Sequence, residues 1–235
     1  MKRLLSLPIY FLTLTLQAQS TTGIADDFKM LAMHNLNVNT STITSFSNTT
    51  TKGSRYLFDQ WTPGSVTTLD NITYSDNYLF NYDKINHELY ANSSSQGNLT
   101  IILDKNMIRT FRLGNMIFLN GKLIDPLGKD IFYQVLVNDT AKLSLYKLNL
   151  TRFIKGDPTN VANVRMGNTA NEYADNYSYY LTSGKGELRK IKLTESFISK
   201  ILKDQSTKME AFFKSRPNQD FDEAMTIDLI TFLNL

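Results

Sequence analysis

The chain has no cysteine. That excludes disulfides, thiolate metal sites, a cysteine nucleophile and a lipid-modified N-terminal cysteine. Histidine occurs only at His34 and His87, and a histidine metal site ordinarily needs two or more ligands close together. His87-Glu88 has no zinc spacing, so a turn or surface role is expected for His87. No Gly-x-Ser-x-Gly elbow is present, so nothing marks a serine nucleophile. Neither charge sign dominates: 25 Lys and Arg stand against 22 Asp and Glu. Nucleic acid is not an expected partner, because phosphate binding needs a clustered surplus of basic side chains. The one local basic cluster, Lys185, Arg189, Lys190 and Lys192, reads as a solvated strand face. Tryptophan is nearly absent too, with Trp61 alone.

Long apolar runs are also missing, apart from Leu4–Leu16. That run follows Lys2 and Arg3, precedes the small residue Ala18, and is too short to span a bilayer. This is the layout of a secretory signal. The expected organisation is a signal peptide over 1–18, a polar lead-in arm over 19–53, and a β-rich domain over 54–235. Lys2 and Arg3 leave with the signal, so the mature chain is close to neutral. No transmembrane segment is expected in it. Export without disulfides fits a bacterial envelope, periplasmic or extracellular, better than a eukaryotic secretory route.

What the chain does have is a series of short β-forming runs. Arg55–Phe58, Ser65–Leu69, Tyr78–Tyr82, Glu88–Ala91, Leu99–Leu103, Ile108–Leu113, Met116–Leu119, Ile131–Val137 and Lys142–Phe153 are the expected strands. Trp61-Thr62-Pro63-Gly64, Asp83–Asn86, Asn92–Asn98, Asp104-Lys105-Asn106 and Gly114-Asn115 punctuate them as turns. Asn120-Gly121 is the dipeptide a two-residue hairpin prefers, and Asn138-Asp139 is a second hairpin candidate. In Lys142–Leu150 the apolar phase passes from Leu143 and Leu145 to Tyr146, Leu148 and Leu150, a switch that a β-bulge would produce. Short connections make an antiparallel meander the expected topology, as a sandwich or a curled sheet. A polar loop over Lys155–Ala174 and a hairpin of Asn176–Leu181 with Glu187–Leu193 follow.

From Thr194 the period becomes helical. Phe197, Ile198, Ile201 and Leu202 line one helix, and Met209, Phe212 and Phe213 a second. Asp220-x-x-Glu223 is a capping-box spacing for a third, striped by Phe221, Met225, Leu229, Phe232 and Leu233. Amphipathic helices over 194–235 that dock the C-terminus are therefore expected. With the signal, the segments Ser54–Val66 and Leu79–Ala91, the meander and this tail, the layout resembles a type of secreted β-meander protein of Bacteroidota with a C-terminal helical tail. The resemblance covers most of the mature chain. It implies an envelope location and no particular activity.

Candidate chemistry is sparse. Asp70-Asn71, Asp76-Asn77 and Asp83-x-x-Asn86 lack calcium-loop spacing and read as turn residues. No metal site and no cofactor are implied. Asp139-Thr140-Ala141 fits a short O-glycosylation pattern, and eight Asn-x-Ser/Thr sequons run from Asn39 to Asn176 in a chain rich in all three residues. The candidate binding residues are aromatic: Trp61 beside Pro63-Gly64, and the cluster Tyr173, Tyr177, Tyr179 and Tyr180. Such rings stack on sugars or anchor a partner when exposed, and pack as core or cross-strand pairs otherwise. The expectation is a non-enzymatic envelope binding or interaction protein, with an envelope protein or surface glycan as partner. A hydrolase acting on glycan or peptide is the alternative, and a carrier of a small apolar ligand is a third.

Overall fold

Twelve strands form one open, mixed sheet in the computed structural model, which describes residues 51–75, 78–93, 99–125, 130–157, 159, 170–184, 188–217 and 219–235. The expected signal peptide, nearly all of the lead-in arm, His34 and the Asp76-Asn77 pair lie outside these residues. The strands are β1 (Thr51–Lys52), β2 (Thr62–Thr68), β3 (Thr73–Tyr74), β4 (Tyr78–Asp83), β5 (Glu88–Ser93) and β6 (Leu99–Ile102). They continue as β7 (Ile108–Leu113), β8 (Met116–Asn120), β9 (Phe132–Val137), β10 (Leu143–Ile154), β11 (Asn171–Ser183) and β12 (Leu188–Ile191). Three helices follow: α1 (Glu195–Ile201), α2 (Ser206–Lys214) and α3 (Glu223–Leu233).

The sheet order is β1-β11-β10-β9-β8-β7-β2-β4-β5-β6, with β12 also on β11 and β3 also on β2. Runs β4–β6 and β7–β11 are antiparallel meanders, as the short turns require. Among the described residues only the short pair β1·β11 is parallel. The mainly-β fold with C-terminal helices is thus as the pattern predicts.

Strand β2 joins the two meanders. Thr62 and Pro63 pair with β4, whereas Gly64–Thr68 pair with β7. The expected Pro63-Gly64 turn is therefore part of a strand, at the point where it changes partners. Proline fits there because it has no N–H to place in a ladder. Gly64 is required by contact: a Cβ on it would sit 2.2 Å from the Arg112 carbonyl oxygen. Arg55–Phe58, expected as a strand, makes only an isolated bridge from Tyr56 to Asp83. Its backbone follows the curve of β4, with Leu57 N–H donating to Tyr82 O at 2.8 Å.

Because β2 turns the sheet, β4 and β5 fold over β7–β9. Tyr82 of β4 is fully buried and its ring centroid lies 5.4, 5.6 and 6.2 Å from those of Phe111, Phe118 and Phe132. With Phe80, Leu89 and Ile108 these rings form the first core. A second core lies between the helices and β10–β11, where Leu143, Leu145 and Leu181 meet Ile198, Phe212, Leu229 and Ile230. A third, on the opposite face, gathers Ile131, Tyr133, Tyr146 and Leu148.

The two faces of β10 explain its apolar phase switch. The strand runs in unbroken register with β11 from Leu143 to Ile154. Leu143 and Leu145 are buried under the helices, and Tyr146 and Leu148 are buried on the other face. The register does shift at Leu145/Tyr146, but against β9: Leu145 pairs with Val137 and Tyr146 with Val135. The extra residue of the bulge is in β9, not in β10.

Three further expectations shift in detail. Asn120-Gly121 does not close a two-residue hairpin; Gly121–Leu123 is a 3-10 turn that starts a longer loop to β9. Strand β11 begins at Asn171, so the expected loop over Lys155–Ala174 ends earlier, and the late hairpin pairs Tyr179–Thr182 with Leu188–Ile191. The cap of α3 is Asp222 and not Asp220: its side chain accepts from Met225 N–H at 2.9 Å. This placement sets Phe221 just outside the helix, its ring 5.9 Å from Phe213. Thr194 caps α1 as the sequence suggests. The C-terminus docks: Asn234 accepts from Leu143 N–H at 3.1 Å and donates to Leu143 O at 2.9 Å.

Candidate functional site

Odd-numbered residues of β10 and β11 share one face, in the pairs Leu145–Leu181, Lys147–Tyr179, Asn149–Tyr177, Thr151–Asp175 and Phe153–Tyr173. The first pair lies under the helices. Beyond it the face becomes polar, between the first turn of α3 on one side and the turn after β4 on the other. Glu223 comes from the helix and Lys84 from that turn.

The side chains of this strip form one network. Lys147 Nζ is 2.7 Å from Glu223 Oε2, and the Tyr179 hydroxyl donates to the same oxygen at 2.5 Å. Lys147 Nζ also lies 4.1 Å from the centroid of the Tyr177 ring, a cation–π distance. Asp175 Oδ1 accepts from Lys84 Nζ at 2.6 Å and from the Thr151 hydroxyl, and the Tyr177 hydroxyl donates to Oδ2 at 3.3 Å. Asn149 Nδ2 donates to Gln134 Oε1 of β9 at 3.0 Å. Lys84, Asn149 and Thr151 are buried, whereas Tyr177 is 45% exposed and Phe153 49%.

Protonation follows from these contacts. Burial pushes the Asp175 carboxyl up, but hydrogen bonds from Lys84 and Thr151 and the lysine charge outweigh it and hold the group below its ordinary value. Burial and the Glu223 carboxylate both push the Tyr179 phenol up. Asp175 therefore stays ionised and Tyr179 stays neutral. The strip offers an exposed ring and oriented polar groups, with its lysines and carboxylates already engaged with each other.

The predicted aromatic residues divide. Tyr173, Tyr177 and Tyr179 are on this face, and the Tyr173 ring packs against Phe153 at 5.2 Å. Tyr180 is on the opposite face, edge-on to Tyr133 at 5.2 Å, where it serves the third core. Trp61 precedes β2, and four strands separate β2 from β11 in the sheet order. Lys84, Lys147, Thr151 and Asp175 belong to no site motif in the sequence, and Glu223 reads there only as a capping-box residue. A signal for three residues of this face was available: Lys147, Asn149 and Thr151 alternate with Tyr146, Leu148 and Leu150, which marks a polar face on a strand.

Elsewhere, His87 sits in the turn after β4 with φ 55°, its Nδ1 3.0 Å from the Tyr82 hydroxyl. Asp83 accepts from Ile85 N–H at 2.8 Å and pairs with Arg55, the turn role expected of it. A cavity of about 290 Å³ lies beside α1, lined by Leu143, Leu181, Ile201, Leu202, Arg189 and Asp204 among others. Among the described residues no group of three or more His, Asp or Glu is placed to hold a metal ion, and no helix is long and apolar enough to cross a membrane. No family model, curated protein or solved structure matches the chain.

Proposed function

We propose that the protein is a non-enzymatic binding protein of the cell envelope, exported to the periplasm or the exterior. It holds an envelope protein or a surface glycan against the Tyr177 face of β10 and β11. One observation carries the reading: Lys84 and Lys147 are each ion-paired to a carboxylate of the strip, yet the Tyr177 ring beside them is open to solvent. General acid–base work needs a group whose proton is exchangeable near the working pH. Asp175 is held ionised and Glu223 is tied to Lys147 and Tyr179. An exposed ring flanked by oriented polar groups suits contact with a ligand.

Tyr177→Ala tests this. The variant should keep its thermal midpoint close to wild type and be retained measurably less on envelope fractions or on a glycan array. The purified protein should turn over no glycosidase, esterase or peptidase substrate. Turnover abolished by one carboxylate or serine substitution, with stability unchanged, would replace this reading with the hydrolase.

A further inference from the structure

Strand β11 is 13 residues long, but among the described residues its outer edge is paired only at its two ends. Strand β1 runs beside Asn171 and Glu172, and β12 beside Tyr179–Thr182. Among the described residues no strand lies along the outer edge of Ala174–Ser178. Asp175, Asn176 and Tyr177 are exposed in succession. Successive strand residues point to opposite faces, so exposure of three in a row means that both faces are open there.

The direction of the peptide groups follows from Gly53. A Cβ on Gly53 would sit 2.4 Å from the Tyr173 carbonyl oxygen, so that oxygen points outward, to the β1 side. Outward groups recur at every second residue of a strand. The N–H and C=O of Asp175 and Tyr177 therefore also face outward. The walls of the gap are fixed by the turns that leave it. Gly53, with φ +69°, takes the chain away from the edge towards β4, where Arg55 O accepts from Lys84 N–H at 2.9 Å. At the other end β12 stops at Ile191 and the chain turns into α1 through Thr194.

This recess selects its occupant. A second copy of the chain cannot pair there edge to edge, because β1 and β12 of each copy stand proud by one strand, about 4.8 Å, and hold the two edges apart. A single extended strand fits: the gap spans about 17 Å at roughly 3.3 Å per residue. On one face Lys84 and Asp175 neutralise each other, as do Lys147 and Glu223, and leave the Tyr177 ring; on the other face Arg152, exposed opposite Ala174, adds a positive charge to the main-chain hydrogen bonding.

We propose that Ala174–Ser178 is an acceptor edge for a strand from another polypeptide. The incoming segment is extended, about five residues long, and free of basic side chains, which Arg152 opposite Ala174 would repel. It completes the ladder between β1 and β12 and sets an aromatic or β-branched side chain against Tyr177. This rests on the binding reading above and names the chemistry of its ligand.

The test uses the full chain and a display library of random octapeptides. A selected peptide should slow hydrogen exchange at the amides of Asp175 and Tyr177 by at least about tenfold. Tyr177→Ala keeps the outward N–H and should weaken the peptide only a few-fold. Tyr177→Pro removes that N–H and should weaken it by about a further tenfold. If the proline variant does not fold, exchange on the wild-type chain decides alone. Selection of no peptide, a bound peptide that leaves both amides unchanged, or equal affinity for the two variants would overturn the proposal. A glycan that binds wild type, fails on Tyr177→Ala and leaves both amides unchanged would overturn it as well, while the binding reading stands. Envelope retention that Tyr177→Ala leaves unchanged removes that reading too.

Discussion

Lys84 Nζ lies 2.6 Å from Asp175 Oδ1, joining the turn after β4 to the middle of β11 across 91 residues of sequence. The two partners are unequally placed. The lysine side chain is 6% exposed and the aspartate 37%. Removing one charge is therefore not equivalent to removing the other, since a buried charge without a partner keeps its desolvation cost. Asp175→Asn should destabilise the protein by about 1–3 kcal/mol. Lys84→Met leaves a carboxylate that Thr151, Tyr177 and water still solvate, and should cost less than about 1 kcal/mol. Urea denaturation of the two variants measures the difference; equal losses would mean that the lysine is not desolvated.

The same carboxylate sets an acid dependence. Its folded value lies below the ordinary one because the hydrogen bonds and charge of Lys84 and Thr151 outweigh burial. A depressed folded value gives stability that is complete above the unfolded value, about 3.9, and is lost as pH falls through the folded one. The gap in urea midpoint between wild type and Asp175→Asn should be constant at neutral pH and should narrow below about pH 4. A gap that stays constant into strong acid would remove Asp175 from the account of acid sensitivity.

Phe212 is fully buried in the helical core, its ring 5.6 Å from Phe213 and 5.5 Å from Phe232. Phe212→Ala should cost about 3–5 kcal/mol. Phe232 is only half-buried, so Phe232→Ala should cost less, roughly 1–3 kcal/mol. Thermal melts rank the two. The reverse order would mean that Phe232, and not Phe212, is the more tightly enclosed ring of the helical core.

The export reading makes its own prediction. If Lys2-Arg3, the run Leu4–Leu16 and Ala18 act as a secretory signal, cleavage is expected before Gln19. Mass spectrometry of the periplasmic or secreted protein should find Gln19 at the N-terminus. A soluble protein that retains Met1 would contradict it.

Local signals carried most of the fold. Strand period, turn residues and the helical stripes locate β4 to β11 and α1 to α3 because each depends on neighbours within a few residues. The cap at Thr194 and the docked C-terminus follow from the same signals. The site was only half legible. Tyr173, Tyr177 and Tyr179 are read from one segment, but Lys84 and Glu223 reach them from a distant turn and a distant helix. Pairing of that kind depends on where β2 turns the sheet, which no local pattern encodes. Pro63-Gly64 misleads for the same reason: as a dipeptide it signals a turn, and in the fold it marks a change of partner strand.

Asn120-Gly121 separates local from tertiary reasoning most sharply. As a hairpin dipeptide, Asn120 would accept replacement by aspartate, because Asp-Gly suits the same turn. In the fold Asn120 is 5% exposed and works as a staple. Its Nδ2 donates to Lys105 O at 2.9 Å and to Ile108 O at 2.8 Å, while its Oδ1 accepts from Lys122 N–H at 3.0 Å. An aspartate keeps the shape and the acceptor. It loses both donors and turns a carboxylate oxygen towards two carbonyl oxygens. Ile108 O would lose its enclosed donor and Lys105 O would keep only the long bond from Ile108 N–H at 3.4 Å, both beside a carboxylate with no counter-charge. Asn120→Asp should therefore destabilise by about 2–4 kcal/mol at neutral pH, and by less in acid, where the protonated group donates once more. The sign follows from burial: the folded carboxyl is raised above its unfolded value, so the penalty is complete above the folded value, fades as pH falls through it, and is gone below the unfolded value. Urea midpoints of wild type and variant at neutral and acid pH measure this. A variant as stable as wild type at neutral pH would mean that the turn dipeptide, and not the staple, is what this position requires.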